Sequence, residues 1–317
     1  MSEQRSTRLP FIFILITLTL DAMGIGLILP VMPDLIRDIE GGDISDAALW
    51  GGILATVFAV MQFVFGPIIG SLSDRYGRRP ILLISLFVMA VDYVVMAIAG
   101  TMWLLLAARV VGGITAATQS TAMAFIADIS PPDKKAQNFG LVGAAFGVGF
   151  VLGPMIGGLL AEFGHRAPFY AAAMLAFANL VFGYFVLPET VTDRIRRPFS
   201  LARANPFGAF KALSKLSGVA RLLLLVFLYE FAFIVYPATW AYFTQERFRW
   251  EPAMVGFSLA TFGISMAIVQ GVLIRWIIPK FGIRRTILYG FCFNFMAFIV
   301  LFSLDSGIVV LLFTPVT

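Results

Sequence analysis

The 317-residue chain is poor in the groups that keep a protein in water and in those that do enzyme chemistry. Charged residues make up 13% of it, against about a quarter in a soluble domain, while 60% are hydrophobic and mean hydropathy is +0.92. There is one cysteine, Cys292, inside an apolar run, which excludes an intrachain disulfide. The single histidine, His165, falls in a loop and reads as a solvated loop residue rather than a ligand. No phosphate-binding loop, no H-E-x-x-H pair and no nucleophile elbow occurs. An enzyme, a bound metal and an organic cofactor therefore have no support, and any work this chain does must draw on a gradient. The net charge of +5 does not indicate nucleic acid, because the basic residues sit in loops between apolar runs, where they set membrane orientation.

What is present in quantity is long apolar sequence. A bilayer needs roughly 20 apolar residues per helix. Runs at about 9–30, 48–69, 81–99, 102–126, 138–161, 167–187, 219–243, 253–276 and 287–304 meet that length, giving an all-α polytopic membrane protein in contact with the lipid bilayer. A further run begins near Gly307 and is cut off at Thr317, so the expectation is a chain truncated within its tenth helix. Arg5 and Arg8 precede the first run and could mark a signal peptide. The run from Leu9 to Pro30 is long enough to span, however, and acids rather than a small-residue cleavage site follow it, so it reads as a retained span.

Loop charge sets the expected orientation. Loops on one side hold Arg75, Arg78, Arg79, Lys134, Lys135, Arg194, Arg203, Lys211, Lys215, Arg284 and Arg285, among others. Loops on the other hold only Arg37, Arg166, Arg247 and Arg249, with Asp34, Asp38, Glu40, Asp43 and Asp46 after the first span. This bias places the N-terminus in the cytoplasm and the protein in the inner (plasma) membrane as a multi-pass protein. Residues 188–218, the longest polar stretch, divide an N-terminal six-helix bundle (1–187) from an incomplete C-terminal bundle (219–317). Tyr76-Gly77-Arg78-Arg79 after the second span is echoed by Phe281-Gly282-Ile283-Arg284-Arg285 after the eighth. Parallel repeats of this kind place a site between two halves, near the bilayer midplane.

Three groups of residues carry chemistry. The first is the knot between the second and third spans, with Gly70, Asp74, Arg75, Gly77, Arg78, Arg79 and Pro80. A positive-inside loop explains the arginines but not the acid and the glycines, which allow close approach and positive φ. Pro80 suits a first helical turn, and Asp74 can cap a helix or pair with an arginine. The second group is ionisable and lies in apolar runs: Asp21, Asp92, Arg109 and Glu230, with Asp128 near the headgroups. Intramembrane charge is costly and by default marks a pathway or relay. Arg109 stays protonated, so it cannot carry a proton; its expected job is to hold a nearby carboxylate charged and so gate that group's protonation. The third group is the small-residue face of the fifth span, with Gly143, Gly147, Gly153, Pro154, Gly157 and Gly158, which permits close packing and a bend.

The knot closely resembles the loop between helices 2 and 3 of the major facilitator superfamily, and the fifth-span run, with its G-P and G-G, resembles the signature of that superfamily's antiporters. The resemblance covers nearly the whole chain and is strongest to the tetracycline efflux (Tet) family of drug:proton antiporters. Leu20-Asp21 to Pro33 resembles the helix 1 signature with its acid. Arg109-Val-Val-Gly112-Gly113 resembles the helix 4 signature, Asp92-Tyr93 the acidic site in helix 3 of Tet proteins, and Glu246-Arg247-Phe248-Arg249-Trp250 the loop after helix 7. The resemblance implies a major facilitator fold of two six-helix halves, and Asp128 pairing with Arg78. It also implies that Asp74 caps a helix of the second half beyond Thr317. Gln62 matches a glutamine associated with drug binding, and Asn294 falls where Tet proteins have an aspartate tied to proton coupling. Met266 stands in place of their helix 8 histidine.

Neither Met266 nor Asn294 carries a proton, so coupling would run through Asp21, Asp92, Arg109 and Glu230. Gln62, Asn294, Glu230 and a minority of the aromatics Tyr229, Phe231, Phe233, Tyr236 and Trp240 would face the cargo. The implied function is a proton-coupled secondary transporter exporting a drug-like amphipathic compound, with tetracycline the leading candidate. Its partners would be that compound and protons, with a monomer as the expected state. The alternatives are a truncated, transport-inactive fragment and a transporter of another small metabolite.

Overall fold

The computed structural model describes residues 2–116, 118–193, 196–200, 204–208 and 219–314. Arg194, Arg203, Lys211 and Lys215 lie outside the described residues, as do the side chains of Arg5 and Arg8 and the end of the chain at 315–317. Nine described helices are long and apolar enough to cross a membrane. They are α1 (Leu9–Ile28), α2 (Ile44–Tyr76), α3 (Arg78–Ile98), α4 (Met102–Ile129) and α5 (Lys135–Phe163), then α6 (Ala167–Val186), α7 (Val219–Phe248), α8 (Pro252–Phe281) and α9 (Ile283–Leu301). A short tenth helix, α10, runs Gly307–Phe313. Between α1 and α2, the amphipathic helix Met32–Glu40 lies across the acidic end of the bundle, its face Pro33, Asp34, Leu35 and Ile36 buried.

Helix α1 is the centre of the first half. It packs along α5 and against α6, while α3 packs on α6 and α4, and α2 on α4. The packing of α1 on α5 depends on missing side chains. Gly149, Gly153 and Gly157, four residues apart on one stripe of α5, lie against the α1 carbonyls of Thr19, Met23 and Leu27. A methyl group at any of them would meet backbone, which cannot move aside. Pro154 fits its ring beside Gly26 of α1. This corrects the expected small-residue face. Gly143 and Gly147 front open space, with nothing within 4 Å of an added Cβ, and Gly149 takes the place of the third contact. Gly158 points from the other side of α5 to Pro252 and Ala253 at the start of α8, and Gly256 of α8 lies against the Pro154 carbonyl. The glycines of α5 thus serve two partners, α1 and α8, on two faces.

The first half has two apolar clusters. One, toward the acidic end, includes Leu27, Leu35, Leu54, Tyr93, Met96, Leu105 and Phe169. The other, toward the basic end, includes Phe13, Leu82, Leu86, Phe125 and Leu187. A third cluster lies in the second half around Tyr236, Trp240, Val255, Leu259 and Leu301. The halves meet at the acidic end, through α5 with α8 and through Tyr242 of α7, whose hydroxyl fills the space left by Gly51 on α2. Toward the basic end α8 turns exposed at Met266, Ile268, Val272 and Trp276. A π-helical turn, Val269–Leu273, interrupts α8 where this change occurs.

The expected loop at 70–80 is shorter than predicted. Helix α2 continues to Tyr76 and α3 begins at Arg78, so Gly77 alone makes the break, with φ 114° and ψ 153°. Gly70 lies within α2 and does not take a positive φ. Gly282, between α8 and α9, repeats the conformation with φ 75° and ψ 158°. The echo seen in sequence is therefore also an echo in backbone geometry.

Candidate functional site

The midplane group begins with α3 and α4. Arg109 Nη2 donates to Asp92 Oδ2 at 2.6 Å and lies 2.8 Å from Met96 Sδ, with its guanidinium over the Phe58 ring at 5.1 Å. Gly112, one turn along α4 from Arg109, leaves room for the Asp92 carboxylate; a methyl group there would sit 2.9 Å from Oδ2. The pair is inside protein, with the Asp92 side chain 5% and the Arg109 side chain 14% exposed. Low dielectric strengthens such a pair but makes each member costly alone. Asp92 Oδ1 and Arg109 Nε are buried without hydrogen-bond partners, so the pair is not saturated.

Asp21 on α1 stands apart from that pair. Its Oδ1 is buried and has no hydrogen-bond partner. Tyr93 of α3, buried, lays its ring and hydroxyl over Gly24, one turn further along α1. The phenol of Tyr93, the residue after Asp92 on α3, therefore packs on the helix that carries Asp21. In the sequence Tyr93 stands out only as the neighbour of Asp92. Its position follows from Gly24, a signal that motif spacing does not carry. Glu230 and Asn294 are not brought to this group. Glu230 is exposed on α7 and Asn294 is partly buried on α9, which meets α7 through Phe291 and Tyr229. Gln62 on α2 is exposed and donates to the Ala116 carbonyl at 3.3 Å. Met266 is exposed on α8. Of the α7 aromatics, Phe231 is exposed, whereas Tyr236 and Trp240 are core residues, with Trp240 Nε1 donating to Ser258 Oγ at 2.8 Å. An apolar crevice lined by Phe150, Phe233, Tyr236, Phe262 and Leu259 runs between α5 and the second half.

The charged knot at the basic end is organised by Arg78. Its guanidinium reaches Asp74 Oδ1 at 2.5 Å, Ser73 Oγ at 2.6 Å and Asp128 Oδ2 at 3.2 Å, so it ties the end of α2 to the end of α4. Thr190 Oγ1 donates to the same Asp128 oxygen at 3.1 Å. Arg79 donates to the Tyr184 carbonyl at 2.8 Å and Arg75 lies over Tyr76. Glu189, which the motif does not include, completes the knot. It accepts from the backbone N–H groups of Arg78 at 2.9 Å and Arg79 at 3.2 Å, capping the N-terminus of α3 from the end of α6. A carboxylate suits that position because the first N–H groups of a helix lack intrahelical acceptors and carry partial positive charge. Glu189 also explains Gly77, since a methyl group at 77 would run into its carboxylate.

Gly77 and Gly282 make a paired prediction. Gly77→Ala is expected to cost about 1–3 kcal/mol through its positive φ and to displace Glu189 as well. Gly282→Ala has open space and is expected to cost only about 1–2 kcal/mol. Thermal unfolding midpoints of the purified variants in detergent check the order; equal shifts would remove Glu189 from the account.

At the acidic end, Asp34 pairs with Arg37 on its own helix, and Gln245 Nε2 of α7 donates to Asp34 Oδ2 at 3.0 Å and to the Pro30 carbonyl at 3.4 Å. His165 Nδ1 lies 2.8 Å from Asp38 Oδ2, so it is partnered rather than a free loop residue. Among the described residues, no group of His, Cys, Asp and Glu is arranged to hold a metal ion.

Comparison with known proteins agrees with this architecture. The chain is 43% identical over 296 residues to the class C tetracycline resistance protein of Escherichia coli, covering 93% of this chain and 74% of that protein. The crystal structure of the human organic anion transporter MFSD10 (TETRAN) superposes with TM-score 0.66 at 28% identity, covering 86% of this chain and 73% of that one. A bacterial homolog of the human lysosomal transporter Spinster, in an inward-facing, unoccupied conformation, gives TM-score 0.74 at 17% identity, over 98% of this chain and 71% of that one; this shows the fold alone. The Major Facilitator Superfamily model matches residues 14–316. Buried charge on α1, α3 and α4, the Arg78 knot between α2 and α3, and these matches together make the chain a member of the major facilitator superfamily, within the group that holds the tetracycline resistance proteins.

Proposed function

We propose that the protein is a proton-coupled secondary transporter that exports a drug-like amphipathic compound, with tetracycline the leading candidate. The observation that carries the reading is Asp21, a carboxylate with a buried, unpartnered oxygen on the central helix of the first half. A buried acid with no cation bonded to it is poised to take up a proton, because protonation removes the cost of a buried charge. Asp92 is held in an ion pair by Arg109, and Tyr93, the next residue on α3, lies over Gly24 of the helix that carries Asp21. Similarity to the tetracycline resistance proteins supports the substrate class. The loop-charge bias supports a cytoplasmic side for the Arg78 end.

Transport would follow from the two-half architecture. Uptake of a proton by Asp21 from outside removes its charge and changes which arrangement of the halves is favoured; cargo leaves as the halves part at the acidic end, and the proton leaves inside. Gln62, Asn294, Glu230 and the crevice aromatics are the proposed cargo contacts. The test is drug-induced proton movement in everted vesicles across a small panel that includes tetracycline. Movement that depends on a drug is the expected result. No response to any compound would sink the export reading and favour a transport-inactive chain.

A further inference from the structure

We infer that Asp34 and Gln245 form a latch that closes the transporter at its acidic end, and that each transport cycle breaks and remakes it. The two residues come from different halves. Asp34 lies on the short helix after α1, and Gln245 lies on the last turns of α7. Each is only 7% exposed, and the Gln245 amide spans the junction by donating to Asp34 Oδ2 at 3.0 Å and to the Pro30 carbonyl at 3.4 Å.

Three features separate a latch from ordinary packing. First, Asp34 does not need Gln245 to be paired, because Arg37 on the same helix already binds its carboxylate. The bond to Gln245 therefore acts on how the halves sit together, not on whether the short helix folds. Second, Gln245 Oε1 is buried and has no hydrogen-bond partner. Closing the halves costs that oxygen its water, and parting them returns it. The closed state is thus held by a charge-assisted bond and weakened by an orphaned acceptor on the same amide, which keeps it reversible. Third, the pair borders a cavity of about 410 Å³ between the halves, lined also by Glu162, His165, Arg249, Trp250 and Pro252, so water can reach both groups after a small separation. The glycine contacts of α5 with α8 and of Gly51 with Tyr242 bring the surfaces together by close approach rather than by a charge-assisted hydrogen bond.

The latch is tested without cargo or protons, so its outcome is separate from the drug-export reading. In a Cys292→Ser background, Ala253→Cys places a thiol at the start of α8, partly buried in the junction beside Gly158 of α5. In native-membrane vesicles its alkylation by a membrane-impermeant maleimide reports opening at the acidic end, and the side from which reagent works reports orientation. Gln245→Leu is expected to raise the labelling rate roughly tenfold, the size of one charge-assisted hydrogen bond. Asp34→Ala should raise it similarly, and the double variant should label no faster than either single one. Glu246→Gln, on the same turn but outside the bond, should leave the rate unchanged. An unchanged rate in Gln245→Leu, an equal rise in Glu246→Gln, or fully additive single effects would each overturn the latch.

Discussion

Asp21→Asn is expected to abolish drug-dependent proton movement, lowering its rate on the order of 100-fold or more. Asparagine keeps the shape of the side chain and removes the proton site. The folding consequence should have the opposite sign. Asp21 Oδ1 is buried without a partner, and a buried carboxylate costs more than a buried amide, so the variant should unfold at the same temperature or higher. The two readouts together separate a functional group from a structural one. Wild-type transport in the variant would exclude Asp21 as the carrier and shift it to Asp92 or Glu230. Loss of transport together with lost expression would instead mark Asp21 as structural.

Arg109→Ala should be the most destabilising single change in the first half. It leaves the Asp92 carboxylate, 5% exposed, without its cation. Breaking a buried pair by removing one partner costs about 3–5 kcal/mol. Asp92→Asn alone should cost less, because an exchange to a neutral amide leaves a hydrogen-bonding group in place. Combining it with Arg109→Ala should recover part of the loss, since no charge is then stranded. Arg109→Lys should not restore the wild type: a lysine ammonium is compact and strongly hydrated, and does not stack on Phe58 as a planar guanidinium does. Thermal midpoints and expression of the four variants decide the matter. Costs that simply add would show that the pair does not act as a unit.

The parts of this molecule that were legible from sequence are those where chemistry is local. Nine long apolar runs correspond to nine long helices among the described residues, because a bilayer leaves a backbone no other way to satisfy its N–H and C=O groups over that length. The Arg78 knot was visible because Asp74, Gly77 and Arg78 are close in the chain, and an acid, an arginine and a glycine break constrain one another at that spacing. The sequence echo after the second and eighth spans has a counterpart in the positive φ of Gly77 and Gly282.

What the chain order concealed is whatever depends on a partner far along it. The α5 glycines showed a small-residue face, but not that Gly149, Gly153 and Gly157 meet α1, that Gly158 meets α8, or that Gly143 and Gly147 meet nothing. Spacing gives the face of a helix, and only packing says what lies against it. Glu189 capping α3, Tyr93 over Gly24 and Gln245 on Asp34 were likewise unreadable, since each is a polar side chain of ordinary type until the fold delivers its partner. By itself the sequence determined a polytopic helical protein with charge buried in its spans, because the cost of polar groups in lipid acts residue by residue. The tertiary structure alone decided which charges are paired and which stand alone, because hydrogen bonds and ion pairs act only within a few ångströms and those distances are set by how helices remote in sequence pack.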